Sequence, residues 1–396
     1  MKKFSTAIVG GGASGIVAAI SCRRNKNNSV VICEKLPCLG KKILASGSGK
    51  CNLLNEELND SFYNASSRPL VWSIFEKFGK VDIINFFKSA GLRLYSEGSR
   101  VFPATNQASS VLKILELELK NLSVPVELGY EVIAISGSKG EYTLTSRSDK
   151  KICAESVVIT GGGKSYPALG SDGSAYKLAA TFGHKLIEPV PVAVPLLVKD
   201  SLCHLLQGQK IFAKGKAIID GKLVSESAGD LLFTKYGLSG TCILDISEEV
   251  SIAINRDKKS DICVSIDMVP FMKEEELKNE LSRKALKAVA AEDMLTGILP
   301  NKFGPAFKDI LNGKDAGGMA KALKEKRFKV LGTRGWNEAE FTAGGVATGE
   351  IKKGTLESKL KKGLYFAGEV LDVNGKRGGY NMAWAWASGF VAGMTE

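Results

Sequence analysis

Three glycines near the N-terminus are spaced to let the main chain approach a phosphate group. Gly10, Gly12 and Gly15 form the pattern Gly-x-Gly-x-x-Gly between an apolar segment and a helical one. The first glycine permits a tight turn, the second lets the backbone approach a pyrophosphate, and the third lets helix and strand pack closely. Glu34 follows at the end of the next apolar segment, where a carboxylate accepts hydrogen bonds from ribose hydroxyls and repels a 2′-phosphate. The combination predicts a site for FAD or NAD and disfavours NADP there.

A second segment near the C-terminus favours a flavin. Gly368 and Glu369 follow a predicted strand, and Gly379, Tyr380 and Asn381 open a predicted helix. The carboxylate can bind a ribityl hydroxyl, and the helix N-terminus can stabilise negative charge on a reduced flavin ring. Since an NAD-only dehydrogenase needs no such element, the two segments together predict bound FAD. A surface acidic loop is the alternative interpretation of the C-terminal segment.

Two further polar segments could contribute to the same site. Gly161 and Gly162 end another predicted buried strand, where they either let the backbone approach the cofactor or form only a turn. The segment 38–55 is rich in Gly, Ser, Lys and Asn, and it either donates hydrogen bonds to the cofactor or is a solvated loop. It contains Cys51, whose spacing from Cys38 matches no redox motif, so a catalytic thiol there is the weaker interpretation.

The spacing of the cysteines and histidines argues against a metal centre. Eight cysteines are spread along the chain without a CxxC pair, and His184 and His204 are the only histidines. A zinc site needs clustered ligands at short spacing. We therefore predict reduced, mostly buried thiols and no metal.

Charge and hydropathy limit the kinds of partner that the protein is expected to have. The net charge of +12 would attract nucleic acid, but the lysines are scattered and no arginine-rich groove is visible. No apolar stretch is long enough for a transmembrane helix, and glycines interrupt the only segment that could mimic a signal peptide. We predict a cytoplasmic protein with a small-molecule substrate and no membrane partner, and with nucleic acid as the weaker alternative.

The two glycine-rich ends belong to one interrupted α/β domain. A strand–helix–strand unit of about 30 residues carries the first motif, and a strand–glycine–helix unit carries the last. The alternating segment 124–146 predicts a three-stranded meander. We predict a Rossmann-type FAD/NAD(P)-binding α/β domain in two parts, 1–191 and 341–396, around an insert at 192–340 that is β-rich over 192–268 and helical over 273–330.

Six segments together resemble the YhiN/BaiN-like family of bacterial NAD(P)/FAD-dependent oxidoreductases. They are VGGGASG, GSGKCNLLN, GGGKSYPALGSDG, LLFTKYGLSG, TAGGV and the C-terminal LYFAGEVLDVNGKRGGYNMAWAWASG, which is the most diagnostic. The resemblance covers nearly the whole chain. It implies a discontinuous FAD domain whose insert is β-barrel-like as well as helical.

The resemblance also implies cofactor contacts at matching positions. The pyrophosphate would face Gly10, Gly12, Ser14 and Gly15, and the adenosine ribose would be held by Glu34 and Lys35. Lys42 and Asn52 would lie near the flavin or the phosphates, Val132 would meet the adenine through its backbone, and Gly161 and Gly162 would approach the adenosine. Glu369, Gly379, Tyr380 and Asn381 would hold the ribityl chain and the ring, next to Gly368.

The chain departs from the family pattern at two positions. Lys50 stands where many members have Arg, and Lys235 stands where many have His. A lysine titrates far above the pH at which a histidine transfers protons. We therefore assign no catalytic acid or base.

The expected activity is that of an FAD-dependent oxidoreductase. The resemblance implies hydride transfer through the flavin N5 to a small organic molecule, by reduction of a conjugated C=C bond or by oxidation of an amine. NAD(P)H would visit transiently as electron donor, because no second Gly-x-Gly-x-x-Gly motif with its own acidic residue is present. An FAD-dependent tRNA-modifying flavoprotein and a non-catalytic flavin-binding protein are the alternatives.

Overall fold

The computed structural model describes residues 2–25 and 29–394. The strands are β1 (Lys2–Val9), β2 (Val30–Glu34), β3 (Leu54–Asn55), β4 (Leu94–Glu97), β5 (Arg100–Pro103), β6 (Val126–Leu128), β7 (Val132–Ser136), β8 (Tyr142–Ser146), β9 (Lys151–Ile159), β10 (Leu186–Val192), β11 (Leu196–Val198), β12 (Lys210–Ile219), β13 (Lys222–Thr234), β14 (Gly237–Ser239), β15 (Ile262–Asp267), β16 (Lys326–Thr333), β17 (Phe341–Val346) and β18 (Leu364–Phe366). The helices are α1 (Ala13–Arg24), α2 (Lys41–Ala45), α3 (Arg68–Phe75), α4 (Lys80–Ser89), α5 (Ala108–Asn121), α6 (Ser174–Ala180), α7 (Ser201–Leu205), α8 (Thr241–Ser251), α9 (Glu274–Leu286), α10 (Phe303–Leu311), α11 (Ala316–Lys324) and α12 (Tyr380–Gly393).

The chain divides into two units, each with its own apolar core. The first consists of residues 1–189 and 341–396, and the second of residues 190–340. No helix within the described residues is long and apolar enough to cross a membrane.

A parallel sheet lies at the centre of the first unit. β1 pairs in parallel with β2 and β9, β2 pairs with β6, and β9 pairs with β18. β8 and β7 continue the sheet beyond β9 in antiparallel fashion. Because β1, β2, β9 and β18 run in the same direction, the residues that follow their carboxyl ends meet at one edge, where open α/β sheets bind ligands.

Small residues bring α1 and α12 into close contact in this unit. A Cβ atom at Gly389 would lie 2.4 Å from the carbonyl oxygen of Ser14, and one at Gly393 would lie 2.2 Å from that of Ala18. The Oγ of Ser21 also donates to the carbonyl of Phe390 at 2.7 Å. The C-terminal helix is thereby seated on the helix that carries the first glycine motif.

The predicted meander over 124–146 is wrong in its first strand. β7 and β8 form the expected hairpin, but β6 pairs in parallel with β2 at the far edge of the sheet. The alternating pattern fits either arrangement, since a half-buried strand alternates whichever strand it pairs with.

The second unit contains a closed antiparallel barrel in the order β11-β14-β13-β12-β15-β16. The range 192–268 also includes the helices α7 and α8. The predicted helical range 273–330 is wrong at its end, because β16 begins at Lys326 and closes the barrel between β15 and β11. Phe328 and Val330 are buried there while their neighbours are exposed, which is the period-2 pattern of a strand.

A buried histidine secures the chain before β18. The Nδ1 of His184 lies 3.0 Å from the Oε2 of Glu350, and its Nε2 lies 2.8 Å from the Oγ of Ser358. That Oγ already accepts hydrogen bonds from the backbone N–H groups of Leu360 and Lys361. The Ser358 hydroxyl therefore donates to Nε2, and a neutral His184 donates from Nδ1 to Glu350.

Candidate functional site

The first glycine motif forms a turn with almost no free space. Gly10 has a φ of +108°, and a Cβ there would lie 2.9 Å from the carbonyl oxygen of Thr160. A Cβ at Gly15 would lie 1.9 Å from the carbonyl oxygen of Gly10. These two positions thus require glycine for the fold itself, and they join the ends of β1 and β9.

Gly12 is different, because the space beside it is open. Apart from Gly12 itself and its two chain neighbours, no atom of the described residues lies within 4 Å of the position that its Cβ would take. Gly12 also caps α1, whose first turn has no side-chain cap and no acidic residue. Free N–H groups and the helix dipole favour an anion at such a position.

Glu34 is held at the end of β2 by the same turn. Glu34 as a residue is 7% exposed, and its carboxylate accepts hydrogen bonds from the backbone N–H groups of Gly11 at 2.6 Å and Leu36 at 2.8 Å. The backbone N–H of Tyr130 donates to the carbonyl of Glu34 at 2.9 Å, which brings the chain leading into Val132 to this strand end. The predicted ribose-binding Glu34 and the segment that leads into Val132 are therefore close to each other.

Lys35 is paired with a neighbouring carboxylate. Its Nζ lies 2.7 Å from the Oδ1 of Asp172. Partial burial acts to raise the pKa of Asp172, but hydrogen bonds from Lys35 and Ser174 outweigh it and hold that pKa at about 2. Asp172 is therefore charged throughout the physiological range, and Lys35 is fixed beside it.

Glu369 connects four segments that are far apart in the sequence. Its Oε1 accepts from the backbone N–H of Thr342 at 2.8 Å and from the Oγ of Ser165 at 3.0 Å. Its Oε2 lies 2.5 Å from the Nζ of Lys42, which is 2.9 Å from the same Oγ. Ser165 and Thr342 were not predicted as site residues, although both lie in the resembling segments GGGKSYPALGSDG and TAGGV.

The predicted glycines Gly161, Gly162 and Gly368 are closely packed against neighbouring side chains. A Cβ at Gly162 would approach the Oγ of Ser171 to 2.8 Å, and one at Gly161 would approach the Cβ of Ala175 to 2.8 Å. Gly368 has a φ of +77°, and a Cβ there would lie 2.5 Å from the Oγ of Ser14. The N-terminal motif and the C-terminal segment are thus in direct contact.

Two buried polar atoms near the candidate-site segments have no hydrogen-bond partner within the described part of the chain. They are the Oδ1 of Asn52 and the hydroxyl of Tyr176. A Cβ at Gly379 would lie 2.9 Å from the Asn52 Oδ1. Burial raises the pKa of Tyr176 well above its ordinary value, and the charges of Glu369 and Asp372 add to that effect. Unpaired buried polar groups are costly, so both atoms fit a polar ligand that would complete their hydrogen bonds.

The side chains of Tyr380 and Asn381 are engaged within the protein. The ring of Tyr380 stacks on Phe62 with centroids 4.5 Å apart. The amide of Asn381 accepts from the N–H of Gly375 at 2.9 Å and donates to the carbonyl of Gly375 at 2.8 Å. These residues shape the loop before α12, and a cofactor would meet them mainly through the backbone.

The tryptophans of α12 are packing residues. Trp384 and Trp386 are buried, and their indole N–H groups donate to the carbonyls of Gly368 at 3.2 Å and Leu53 at 3.1 Å. They fix the ends of two segments that supply site residues.

Neither Cys51 nor a metal cluster among the described residues offers an alternative chemistry. Burial raises the pKa of the Cys51 thiol to about 12, which disfavours a nucleophilic thiolate there at neutral pH. Lys50 and Lys235 are exposed. Among the residues that the structure describes, no group of three or more His, Cys, Asp or Glu side chains is arranged to hold a metal ion.

The residues present fit an adenine dinucleotide that carries a flavin. Gly12 and the uncapped end of α1 suit its pyrophosphate, and the carboxylate of Glu34 suits its ribose. The N-terminus of α12 is likewise uncapped and has no acidic residue in its first turn, so it suits negative charge on a reduced ring.

Comparison with known proteins places the chain in a family. The HI0933-like protein Rossmann domain family matches residues 4–395. The chain belongs to this family. The predicted YhiN/BaiN-like resemblance is confirmed, and so is the Rossmann-type α/β fold with a barrel-containing insert.

Two curated relatives extend over nearly the whole chain. A 3-dehydro-bile acid delta(4,6)-reductase of Clostridium scindens is 36% identical, with 98% of this chain and 97% of the relative covered. A ribosomal RNA dihydrouridine synthase of Escherichia coli is 30% identical, with 99% and 97% covered. At the level of enzyme class, these relatives and the family match confirm the prediction of an FAD-dependent oxidoreductase.

Solved structures share the fold. A 3-ketosteroid delta1-dehydrogenase from Sterolibacterium denitrificans aligns with a TM-score of 0.52 at 12% identity, covering 99% of each chain. A flavocytochrome c3 fumarate reductase aligns with a TM-score of 0.50 at 16% identity, covering 99% of this chain and 78% of that one.

Proposed function

We propose that this protein is an FAD-dependent reductase of C=C bonds conjugated to a carbonyl group in a small organic substrate. The observation that carries the proposal is the 36% identity over 98% of the chain to a delta(4,6)-reductase of 3-dehydro-bile acids. The relatives favour C=C reduction over the oxidation of an amine. The site residues are proposed as cofactor ligands on the geometry described above.

Different residues bind different parts of the cofactor. Gly12 and the first turn of α1 bind the pyrophosphate, Glu34 binds the adenosine ribose, and Glu369 binds a ribityl hydroxyl. Lys42 lies 2.5 Å from Glu369 and would balance the negative charge of that carboxylate beside the cofactor. When bound, FAD would supply hydride transfer through N5, from NAD(P)H as a transient donor to the carbon β to the carbonyl, and a proton taken up from water at the α carbon would complete the reduction.

An anaerobic half-reaction experiment tests this proposal. NADH or NADPH is added to the purified FAD-loaded protein and bleaching of the flavin bands is followed, and 4-androstene-3,17-dione is then added as a conjugated ketone. The proposal expects bleaching by one donor and recovery of the flavin bands on addition of the ketone. Bleaching without recovery would contradict the assigned substrate class, and no bleaching by either donor would favour an oxidase or a non-catalytic flavoprotein.

A uracil base in RNA is the second candidate substrate. The net charge of +12 and the 30% identity to a ribosomal RNA dihydrouridine synthase favour it. The C5=C6 bond of uracil is conjugated to a carbonyl, so the chemistry at the flavin is the same. The salt dependence of RNA affinity separates the two candidates, because each phosphate contact to a single strand contributes a slope of about −0.7 in log K against log salt. A slope near zero would exclude RNA as the substrate.

A further inference from the structure

Tyr166 adopts a backbone conformation that its side chain disfavours. Its φ of +54° and ψ of +66° place it in the left-handed region, where the Cβ of an L-residue crowds the following carbonyl oxygen. Pro167 follows it, and the residue before a proline ordinarily adopts an extended conformation. The chain thus keeps a tyrosine where glycine would be relaxed.

Hydrogen bonds on both sides impose this conformation. The backbone N–H groups of Lys164 and Ser165 donate to the Oγ1 of Thr342 at 2.9 and 3.2 Å. The Oγ of Ser165 donates to Glu369. On the other side, the N–H of Leu169 donates to the carbonyl of Tyr166 at 2.9 Å. The network that holds Glu369 therefore also fixes the direction in which Tyr166 projects.

The strained residue presents an exposed aromatic side chain next to the proposed flavin ligands. Tyr166 is 39% exposed, although the adjacent Ser165 is fully buried and bonded to both Glu369 and Lys42. None of the ring contacts between described residues involves Tyr166. Strained backbone that the surroundings over-determine is concentrated at ligand-binding and catalytic positions.

We propose that the ring of Tyr166 is the surface on which the planar conjugated carbonyl group of the substrate stacks. This inference rests on the proposed function and names a specificity-determining residue for it. A flat enone ring and a uracil base both present a π face of the required kind, and aromatic side chains stack on such faces in offset arrangements. The fixed backbone sets the direction of the Cα–Cβ bond before the substrate arrives, which reduces the conformational entropy lost on binding.

Three variants of the FAD-loaded protein test the assignment. Tyr166→Phe keeps the ring, Tyr166→Ala removes it and keeps the strain, and Tyr166→Gly removes both. The Kd for 4-androstene-3,17-dione and for uridine is measured from the perturbation of the oxidised flavin spectrum, and the thermal midpoint is measured alongside. Ser123→Gly is the matched control, because Ser123 is exposed and has a φ of +53° in the turn after α5.

The expected pattern separates substrate contact from a structural role. Tyr166→Phe keeps the Kd of at least one probe within about twofold, and the Ala and Gly variants weaken it by about three- to tenfold. Tyr166→Gly retains FAD and has a thermal midpoint at or above that of the parent, since glycine adopts a positive φ without strain. Ser123→Gly shows the same thermal behaviour with an unchanged Kd. The probe that responds distinguishes a small ketone from a uracil base.

Several outcomes would overturn the inference. Unchanged Kd values in the Ala and Gly variants would show that the ring touches no substrate. Loss of FAD or a lower midpoint in Tyr166→Gly would show that the residue is structural. A parent protein that holds FAD but responds to neither probe would overturn the assignment of a conjugated carbonyl to this ring. A parent protein that binds no FAD would instead overturn the proposed function.

Discussion

The glycines of the first motif have different physical reasons to be glycine. Gly10 and Gly15 are required by the protein, because a Cβ at either would press on backbone atoms within 3 Å. Gly12 has a φ of −82° and open space where a Cβ would lie, so nothing in the protein requires glycine there. We therefore propose that a ligand approaching the backbone accounts for the glycine at this position.

This difference predicts opposite behaviour of two alanine variants. Gly12→Ala should leave the thermal stability of the cofactor-free protein unchanged and weaken FAD binding about tenfold or more, equivalent to about 1.4 kcal/mol or more. Gly15→Ala should destabilise the fold, because its Cβ would lie 1.9 Å from the carbonyl oxygen of Gly10. Thermal unfolding of both apo proteins and FAD titration of Gly12→Ala check this. Normal FAD affinity in Gly12→Ala would contradict the proposed pyrophosphate site.

The sequence indicated individual candidate residues, but not the partners that lie beside them in the structure. Glu34 and Glu369 were predicted because a carboxylate after a strand and near a glycine turn has a recognised chemistry. The bonds from Ser165 and Thr342 to Glu369 were not predicted, since they join positions 204 and 27 residues away in sequence. No local pattern specifies such pairs. The parallel pairing of β9 with β18 brings the Ser165 segment near Glu369, and Thr342 reaches the same carboxylate from β17, which pairs with β10.

Among the secondary-structure elements, the contact between α1 and α12 holds the two glycine-rich segments together. Gly389 on α12 lies against Ser14 on α1, and Ser14 lies against Gly368. The C-terminal segment is therefore positioned by helix packing as well as by its own loop.

Gly389→Ala should destabilise the protein through this contact. Its Cβ would lie 2.4 Å from the carbonyl oxygen of Ser14, and overpacking of this kind costs about 1–3 kcal/mol. Gly317→Ala in α11 is the matched control, because the nearest atom to its Cβ is 3.8 Å away. The control should keep or gain stability, by up to about 1 kcal/mol. Denaturant unfolding of the two variants measures both effects, and equal stabilities would refute close packing at Gly389.

His184 predicts a stability change near neutral pH. Burial lowers its pKa below the ordinary 6.5, against the opposing effect of Glu350. The unfolded chain therefore takes up a proton at a higher pH than the folded protein, so stability falls as the pH drops below about 7, at up to about 1.4 kcal/mol per unit. The carboxyl groups of Glu56, Glu131 and Glu357 have lowered pKa values, so they affect stability in a separate window at lower pH.

Thermal midpoints measured from pH 7.5 to 5.5 check this account of His184. The fall should be present in the parent protein and absent in His184→Gln. His204 is exposed, so His204→Gln should keep the parent profile. A parent profile that is flat over this range, or one that His204→Gln abolishes, would contradict it.

On the scale of the whole molecule, the sequence predicted the type and order of the secondary-structure units better than it predicted which strands pair. The strand–glycine–helix units at both ends were visible because glycines and apolar runs are local signals. The pairing of β6 with β2 and the closure of the barrel by β16 were missed, because the partners of a strand are set by long-range packing. The Lys- and Glu-rich composition around Lys326 resembled the preceding helices and hid the alternation that the barrel imposes.

The central proposal concerns the whole molecule: the chain binds FAD along the carboxyl edge of its parallel sheet. The most direct measurement is the absorption spectrum of the purified protein, before and after incubation with FAD and removal of the unbound cofactor. The account predicts retained flavin bands with about one FAD per chain, and a reduced FAD content in Gly12→Ala. A protein that shows no flavin bands even after reconstitution would contradict it.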